Sequence, residues 1–380
     1  MLTIIAILMR ILFVITTLGH GGAEKLLYTK CTHFHDQGFP VYVICLTRRL
    51  GLLADFEKKG IQVTCLNITN IYNAVTAIKV YRKIVAEFRP SIIHAHMLHA
   101  NIFSRIAAIG SKKKYAIINT VHDNSTRKRF FLNSLYRLTN WKVDLVTAIS
   151  QEACLNHRNK TKIPNGKIIY VPNFVNNTLF KQDKSIASEF RNNLMLLGKF
   201  VWIAVGRMFP QKDYGNLLAA FKLFSSKYPQ AVLLIVGNGP LEKEVNNMIL
   251  QKGLSNSVKM LGVRNDVAQL LNTADAYVMS SAWEGQPIAL IEAASTNLPI
   301  VATDVGGNNT VVIDGMNGYL VPPKNSQALF EGMEKIVNMS RTDLIEMGKN
   351  SRTYIENNFS VEVLARKWLE IYNEKEKLYN

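Results

Sequence analysis

No D-x-D carboxylate pair occurs in the sequence, so a metal-bridged nucleotide site has no support from it. Cysteine is scarce: Cys31, Cys45, Cys65 and Cys154 lie at wide spacings without a CxxC, which argues against a zinc site or a disulfide framework and fits a reducing, cytosolic compartment. No G-x-G-x-x-G is present, so a nicotinamide cofactor is not supported. No run reaches the roughly 20 apolar residues of a transmembrane helix. The nearest, MLTIIAILMRILFVITTLG, is interrupted by Arg10 and lacks a small-residue cleavage site. It is read as a buried first strand over Arg10 to Thr16 in preference to a membrane anchor. Met9 offers an alternative start, which would leave residues 1–8 as an extension. Acidic residues are also short in supply in one half of the chain. Residues 1–172 carry 24 lysines and arginines against 8 acids, whereas residues 173–380 carry 21 against 20. Nearly all of the net charge of +17 therefore sits in the first half, which is expected to face something anionic: a membrane surface, a phosphorylated acceptor or nucleic acid.

What is present points to an α/β protein. At 380 residues, with 48% hydrophobic content, the chain can bury two full cores. Short apolar runs (residues 41–46, 62–66, 92–95, 116–120, 145–148, 168–171) alternate with longer amphipathic ones, the signature of a parallel sheet with helices on both faces. VPNFVNN, at 171–177, has the composition of a linker, and the same alternation restarts beyond it at 202–205, 231–236, 258–261, 276–279 and 300–303. Two doubly wound Rossmann-like domains are expected, over 1–172 and 173–360, with ligand at the carboxyl ends of their strands. A last helix from Val361 to Leu378 is expected to pack back on the first.

The stretch Ser280 to Ser295, SSAWEGQPIALIEAAS, organises the second half. Glu284 falls in a loop and Glu292 in a helix that should begin at Pro287, since proline suits the first helical position. The unpaired N–H groups at such an end attract anions, and a loop carboxylate beside them can hold hydroxyls. Upstream, GRMFPQK follows a predicted strand, so Arg207 and Lys212 should project from a strand-end loop. Either alone reads as a solvated loop charge; together they suit a departing diphosphate.

Other features leave alternatives open. Gly21 and Gly22 open a helix after the first strand, serving either tight backbone geometry or close approach of a phosphate or sugar, with Glu24 as the helix cap. His94 and His96 lie two apart at a strand end and are expected on opposite faces, without a third metal ligand, so packing is the favoured role. His122 ends a further apolar strand, where it is either a hydrogen-bond partner for a ligand or a structural histidine. Residues 126–142 interleave Arg127, Lys128, Arg129, Arg137 and Lys142 with Phe130, Phe131, Tyr136 and Trp141. They form either an interfacial helix for an anionic membrane or an ordinary helix with aromatics in the core.

The ordered set GGAEK, HAHMLHAN, NTVHD, VPNFV, VGRMFPQKD, IVGNGPL, LGVRNDV, SAWEGQPIALIEA, DVGGNNTVV and GYLVPP resembles the retaining glycosyltransferases of the GT-B fold often called family 4, used in bacterial lipopolysaccharide, O-antigen and capsule assembly. The resemblance runs from about residue 10 to residue 322. It implies two Rossmann-like domains facing a central cleft, and a nucleotide-sugar donor, a UDP-sugar first among them, held mainly by the second. Arg207 and Lys212 would bind the diphosphate, Glu292 the ribose, and Glu284 with Gly285, Gln286, Pro287 and Ile288 the transferred sugar. Gly21 and Gly22 would line the donor site and His122 would contact the sugar. Transfer in this group is described as front-face attack with retention and without a metal or other cofactor. In one departure, Thr310 stands where relatives commonly have Glu.

The function expected is therefore sugar transfer to a lipid-linked glycan by an enzyme peripheral on the inner face of the cytoplasmic membrane. Arg127, Lys128, Arg129, Phe130 and Phe131 would form its membrane or acceptor face. The competing readings are a nucleotide-sugar epimerase or soluble-sugar synthase on the same scaffold and, outside enzymes, a nucleic-acid-binding protein. No RNA- or DNA-binding module supports the last, and no nucleic-acid partner is expected.

Overall fold

The computed structural model describes residues 9–48, 50–122 and 130–379. Two compact units are present: one takes the described chain up to Asn173 and again from Val361 onward, the other Phe174–Ser360.

The first unit holds seven strands, β1 (Ile11–Ile15), β2 (Val41–Cys45), β3 (Gln62–Cys65), β4 (Ile92–His96), β5 (Ala116–Val121), β6 (Leu145–Ala148) and β7 (Ile168–Tyr170), in the order β3-β2-β1-β4-β5-β6-β7. Every pairing is parallel. Its helices are α1 (Gly22–Asp36), α2 (Leu53–Lys58), α3 (Ile71–Phe88), α4 (Leu98–Ala107), α5 (Phe130–Thr139) and α6 (Gln151–Thr161). The apolar start is a strand: Ile11, Leu12, Phe13, Val14 and Ile15 are all fully buried, as both-sided burial of a central parallel strand requires. Among the described residues no helix is long and apolar enough to cross a membrane.

The second unit holds β8 (Phe200–Val205), β9 (Ala231–Val236), β10 (Val258–Gly262), β11 (Ala276–Met279), β12 (Ile300–Thr303) and β13 (Gly318–Val321), all parallel, in the order β10-β9-β8-β11-β12-β13. Its helices are α7 (Lys184–Asn193), α8 (Tyr214–Lys227), α9 (Glu242–Gln251), α10 (Val267–Thr273), α11 (Ile288–Ser295), α12 (Ser326–Val337) and α13 (Arg341–Asn358). Alternation along β8 sends Trp202 and Ala204 into one core with Phe221 and Phe224, and Val201 and Ile203 into another with Leu290 and Ile291. The last helix, α14 (Val361–Glu376), belongs to the first unit and packs on α1 and β4.

In both sheets the strand order reverses once, between β1 and β4 and between β8 and β11. Such switch points are where open α/β sheets bind ligands, because loops diverging from neighbouring strands leave a crevice at their carboxyl ends.

Candidate active site

In the second unit the two loops at the switch point are the ones carrying the candidate residues. From β8 the chain enters Gly206 to Asp213, with a short 3-10 turn at Pro210–Lys212. Asp213 then caps α8: its Oδ1 accepts from the Asn216 N–H at 3.2 Å. From β11 the chain enters Ser280 to Pro287. The loops are tied together, with the Ser280 hydroxyl donating to the Lys212 carbonyl at 2.8 Å and the Ala282 N–H to the Gln211 carbonyl at 2.8 Å.

These ties place Lys212 Nζ 2.6 Å from Glu284 Oε1 in an ion pair whose side chains are only 14% and 6% exposed. The same carboxylate oxygen accepts from the Ser281 hydroxyl at 2.7 Å. Two groups expected to serve different parts of a ligand are thus partners of one another. Burial beneath this pair also raises the Tyr214 phenol, and the Glu284 carboxylate raises it further. Its hydroxyl donates to the Gly206 carbonyl at 3.0 Å. Arg207 is exposed, its guanidinium carbon 4.4 Å from the centre of the Phe209 ring.

The helix expected from Pro287 begins one residue later. Pro287 is its N-cap in extended geometry (ψ 124°), and Ile288 is the first helical residue. Glu292 lies on α11 and is half-buried; Leu290, Ile291, Ala293 and Ala294 are buried around it. Gln286 is buried, and its amide donates to the Thr310 hydroxyl at 2.9 Å, which in turn donates to the Gly307 carbonyl at 2.7 Å. Thr310 therefore braces the loop that holds Gly285 and Glu284.

Sequence reasoning gave no role to four residues here. Ser281 anchors Glu284. Gly306 and Gly307 lie so close under the 284–286 backbone that a Cβ on Gly306 would overlap the Glu284 carbonyl, and one on Gly307 would come within 2.6 Å of the Gly285 oxygen. On the other loop, a Cβ on Gly239 would come within 2.5 Å of the Met208 oxygen. Their signal was the glycines of IVGNGP and DVGGNN at strand ends, where backbone approaches backbone.

In the first unit Gly21 and Gly22 follow β1 at the switch point, His94 and His96 lie in β4, and His122 follows the neighbouring β5. Gly21 is the N-cap of α1 (φ −72°) and Gly22 its first residue. Glu24 does not cap the helix as expected. Its carboxylate turns back to accept from the Thr17 hydroxyl at 2.6 Å, over Gly21, where a side chain would collide with it. At the end of β4, Met97 has φ 73° and ψ 159°, a conformation nearly confined to glycine and costing about 1–3 kcal/mol, of the kind that gathers at functional sites.

His94 and His96 do not point to opposite faces. Residues two apart on a strand share a face, and their ring centroids are 4.2 Å apart. His94 Nδ1 meets the Tyr372 hydroxyl and Nε2 the Thr120 hydroxyl, both at 2.7 Å, and Thr120 continues to Thr147 at 2.8 Å. His96 Nδ1 meets His122 Nε2 at 3.1 Å. Beside them Lys30 Nζ lies 3.6 Å from the centre of the Trp368 ring. Burial, then the Lys30 charge, pushes His122 down to about 3, and burial holds Lys30 well below its ordinary value. Among the described residues, no group of three or more His, Cys, Asp or Glu stands together as a metal site.

Phe130 and Phe131 open α5 at 73% and 74% exposure, and Leu138 and Trp141 are exposed too, whereas Tyr136 is buried under Arg105. So most of this helix's aromatics face solvent and one is core. Arg127, Lys128 and Arg129 lie outside the described residues.

The sequence matches the family model for glycosyl transferases group 1 over residues 186–377 and that for glycosyltransferase family 4 over residues 20–179. It is similar to the UDP-Gal:alpha-D-GlcNAc-diphosphoundecaprenol alpha-1,3-galactosyltransferase of Escherichia coli, 26% identical over 371 residues and covering 93% of each chain. It is also similar to the phosphatidylinositol N-acetylglucosaminyltransferase GPI3 subunit of Saccharomyces cerevisiae, 25% identical over 344 residues, 86% of this chain and 74% of the yeast one. Among solved structures, Anabaena Alr3699/HepE in complex with UDP superposes with a TM-score of 0.85, at 23% identity over 96% of this chain and 100% of the other. At that identity the superposition speaks to the fold alone.

Proposed function

Because the chain belongs to the glycosyl transferases group 1 family, we propose that it is a retaining glycosyltransferase that moves a sugar from a UDP-sugar to a lipid-linked glycan during assembly of a bacterial surface polysaccharide. That it is a glycosyltransferase follows from the family; retention, the UDP-sugar and the acceptor are the proposal. The observation that carries it is the gathering of Lys212, Glu284 and the start of α11 at the β8/β11 switch point. An anionic leaving group has there a cation and the unpaired N–H groups of a helix end, and a sugar has a carboxylate already held by Ser281. Arg207 supplies a second cation from the same loop. In this reading Arg207 and Lys212 stabilise the departing diphosphate without a metal, and Glu284 with residues 285–288 holds the transferred sugar. Glu292 holds the ribose; within the first unit, Gly21, Gly22 and His122 are the residues proposed to contact ligand.

Arg207→Ala is expected to lower donor turnover by about a hundredfold, the scale seen when one donor to a developing anion is removed. It should leave thermal stability unchanged, since the side chain is exposed. Turnover assayed with UDP-sugars and a lipid-diphosphate glycan, with and without chelator, checks this. Unchanged turnover in the variant would overturn the diphosphate role, and loss of wild-type activity in chelator would overturn the metal-free one.

The membrane reading rests on the exposed Phe130 and Phe131 and on the basic first half, and places the protein on the inner face of the cytoplasmic membrane. Transferring two such rings from water is worth about 3–6 kcal/mol at full burial. Phe130→Ser with Phe131→Ser should therefore weaken sedimentation with anionic vesicles at least about tenfold. Binding that ignores both this change and the anionic lipid fraction would exclude α5 as the contact.

A further inference from the structure

The histidines beside β1 allow a statement about which nitrogen of His122 carries its proton. His96 is buried at 3% exposure, and among the described residues its Nε2 is enclosed with no hydrogen-bond partner. Its Nδ1 lies 3.1 Å from His122 Nε2. One of those two facing nitrogens donates and the other accepts, since two bare lone pairs or two protons would repel.

If His96 were the acceptor, its own proton would sit on the enclosed Nε2, a buried N–H with nothing to receive it. Leaving a buried donor unmet is the more expensive error, and native structures avoid it. A doubly protonated His96 is worse still, because its ring centroid lies 4.2 Å from that of His94 and 5.3 Å from that of His122, with Lys30 near by. Nor can His94 relieve it: both of its nitrogens are engaged, by Tyr372 and Thr120. His96 is therefore the donor, through Nδ1–H, and His122 the acceptor, through Nε2. The second nitrogen of an imidazole follows from the first, so a neutral His122 keeps its proton on Nδ1.

We propose that His96 is a positioning residue that fixes His122 as an Nδ1–H donor, with no lone pair left for taking up a proton. Resting on the glycosyltransferase reading, this deepens it. His122 then offers an N–H to a ligand oxygen, and it does not act as the base that deprotonates the acceptor hydroxyl. That proton has to leave by another route, the departing phosphate oxygen being the nearest base the proposed reaction supplies. There the acceptor O–H bond breaks and the new glycosidic bond forms as the sugar–phosphate bond is lost.

The test is the two-bond nitrogen–proton correlation spectrum of protein labelled with [15N]histidine at neutral pH, the rings of residues 96 and 122 being assigned with His96→Asn and His122→Gln. Protonated Nδ1 and bare Nε2 are expected on both. A His122 ring protonated at Nε2, or doubly protonated, overturns the proposal. This readout needs no turnover, so it stands or falls separately from the glycosyltransferase reading. In the activity arm, His96→Asn keeps a donor near the place of Nδ1 and should stay within about threefold of wild-type kcat/KM. His96→Leu should lose at least about tenfold, the range found when a group orienting an active histidine is removed. Equal losses in the two variants would reduce His96 to packing and overturn its positioning role.

Discussion

Replacing Lys212 with methionine is expected to cut donor turnover at least about a hundredfold and to destabilise the second unit by about 3 kcal/mol. Both effects come from one contact. Lys212 Nζ and Glu284 Oε1 are 2.6 Å apart with little solvent around either. Removing the cation leaves a buried carboxylate that has lost its close counter-charge and still accepts from the Ser281 hydroxyl. That carboxylate would also sit, unneutralised, beside the place proposed for a diphosphate. The two effects separate in the double variant Lys212→Met with Glu284→Gln. Replacing both members of a buried pair by neutral groups of similar volume removes most of the stability loss, while turnover stays down because the diphosphate still lacks its lysine. Chemical denaturation and a donor-turnover assay on the two variants and the wild type decide it. Wild-type turnover in Lys212→Met would end the assignment of this site.

Gly306→Ala should be nearly as damaging to activity with no charge changed. Gly306 has φ +55°, and its missing side chain leaves room for the Glu284 carbonyl, which a Cβ would overlap; the next atoms in the way are the Glu284 carbon at 2.7 Å and the Gly285 oxygen at 3.0 Å. All three are backbone, so no rotamer change relieves the clash and the 284–287 loop has to move. A displacement of about 1 Å at reacting groups costs about a hundredfold in rate. Gly315→Ala is the control: it has φ +75° but nothing within 4 Å of the new Cβ. It should cost about 1 kcal/mol of backbone strain and leave turnover unchanged. If Gly306→Ala turns over like Gly315→Ala, the close packing under Glu284 does not matter to the reaction.

The strands and helices around the site were legible where burial is apolar and the ends are marked. Ala231–Val236 and Ala276–Met279 are unbroken apolar runs, and sequence and structure agree on them to the residue. Helix α13 left no such mark because its buried face includes Gly348 and Ser351, packed against the carbonyls of Asn297 and Asn317. Close approach selects small residues there, and hydropathy does not register it. At the site, the residue types at 207, 212, 284 and 292 were visible in the sequence. The Lys212–Glu284 pair was not, since it depends on β8 and β11 lying side by side across the reversal of strand order. The facing of His94 and His96 was misread, although the period of a strand contains the answer.

The two ends of the second unit meet. Val175 bridges to Ser360 in parallel and its N–H donates to the Phe359 carbonyl at 2.9 Å, while Arg352 gathers the carbonyls of Asn177, Phe180 and Ser295. In the order of synthesis this makes residues 174–360 an insertion that closes on itself. The first unit, by contrast, is left waiting for its last helix: the side chains that α14 covers, Lys30 and His94 among them, have no Trp368 or Tyr372 until residues 361–376 have been made. A chain made only as far as the second unit thus holds a basic first unit with these polar side chains still uncovered.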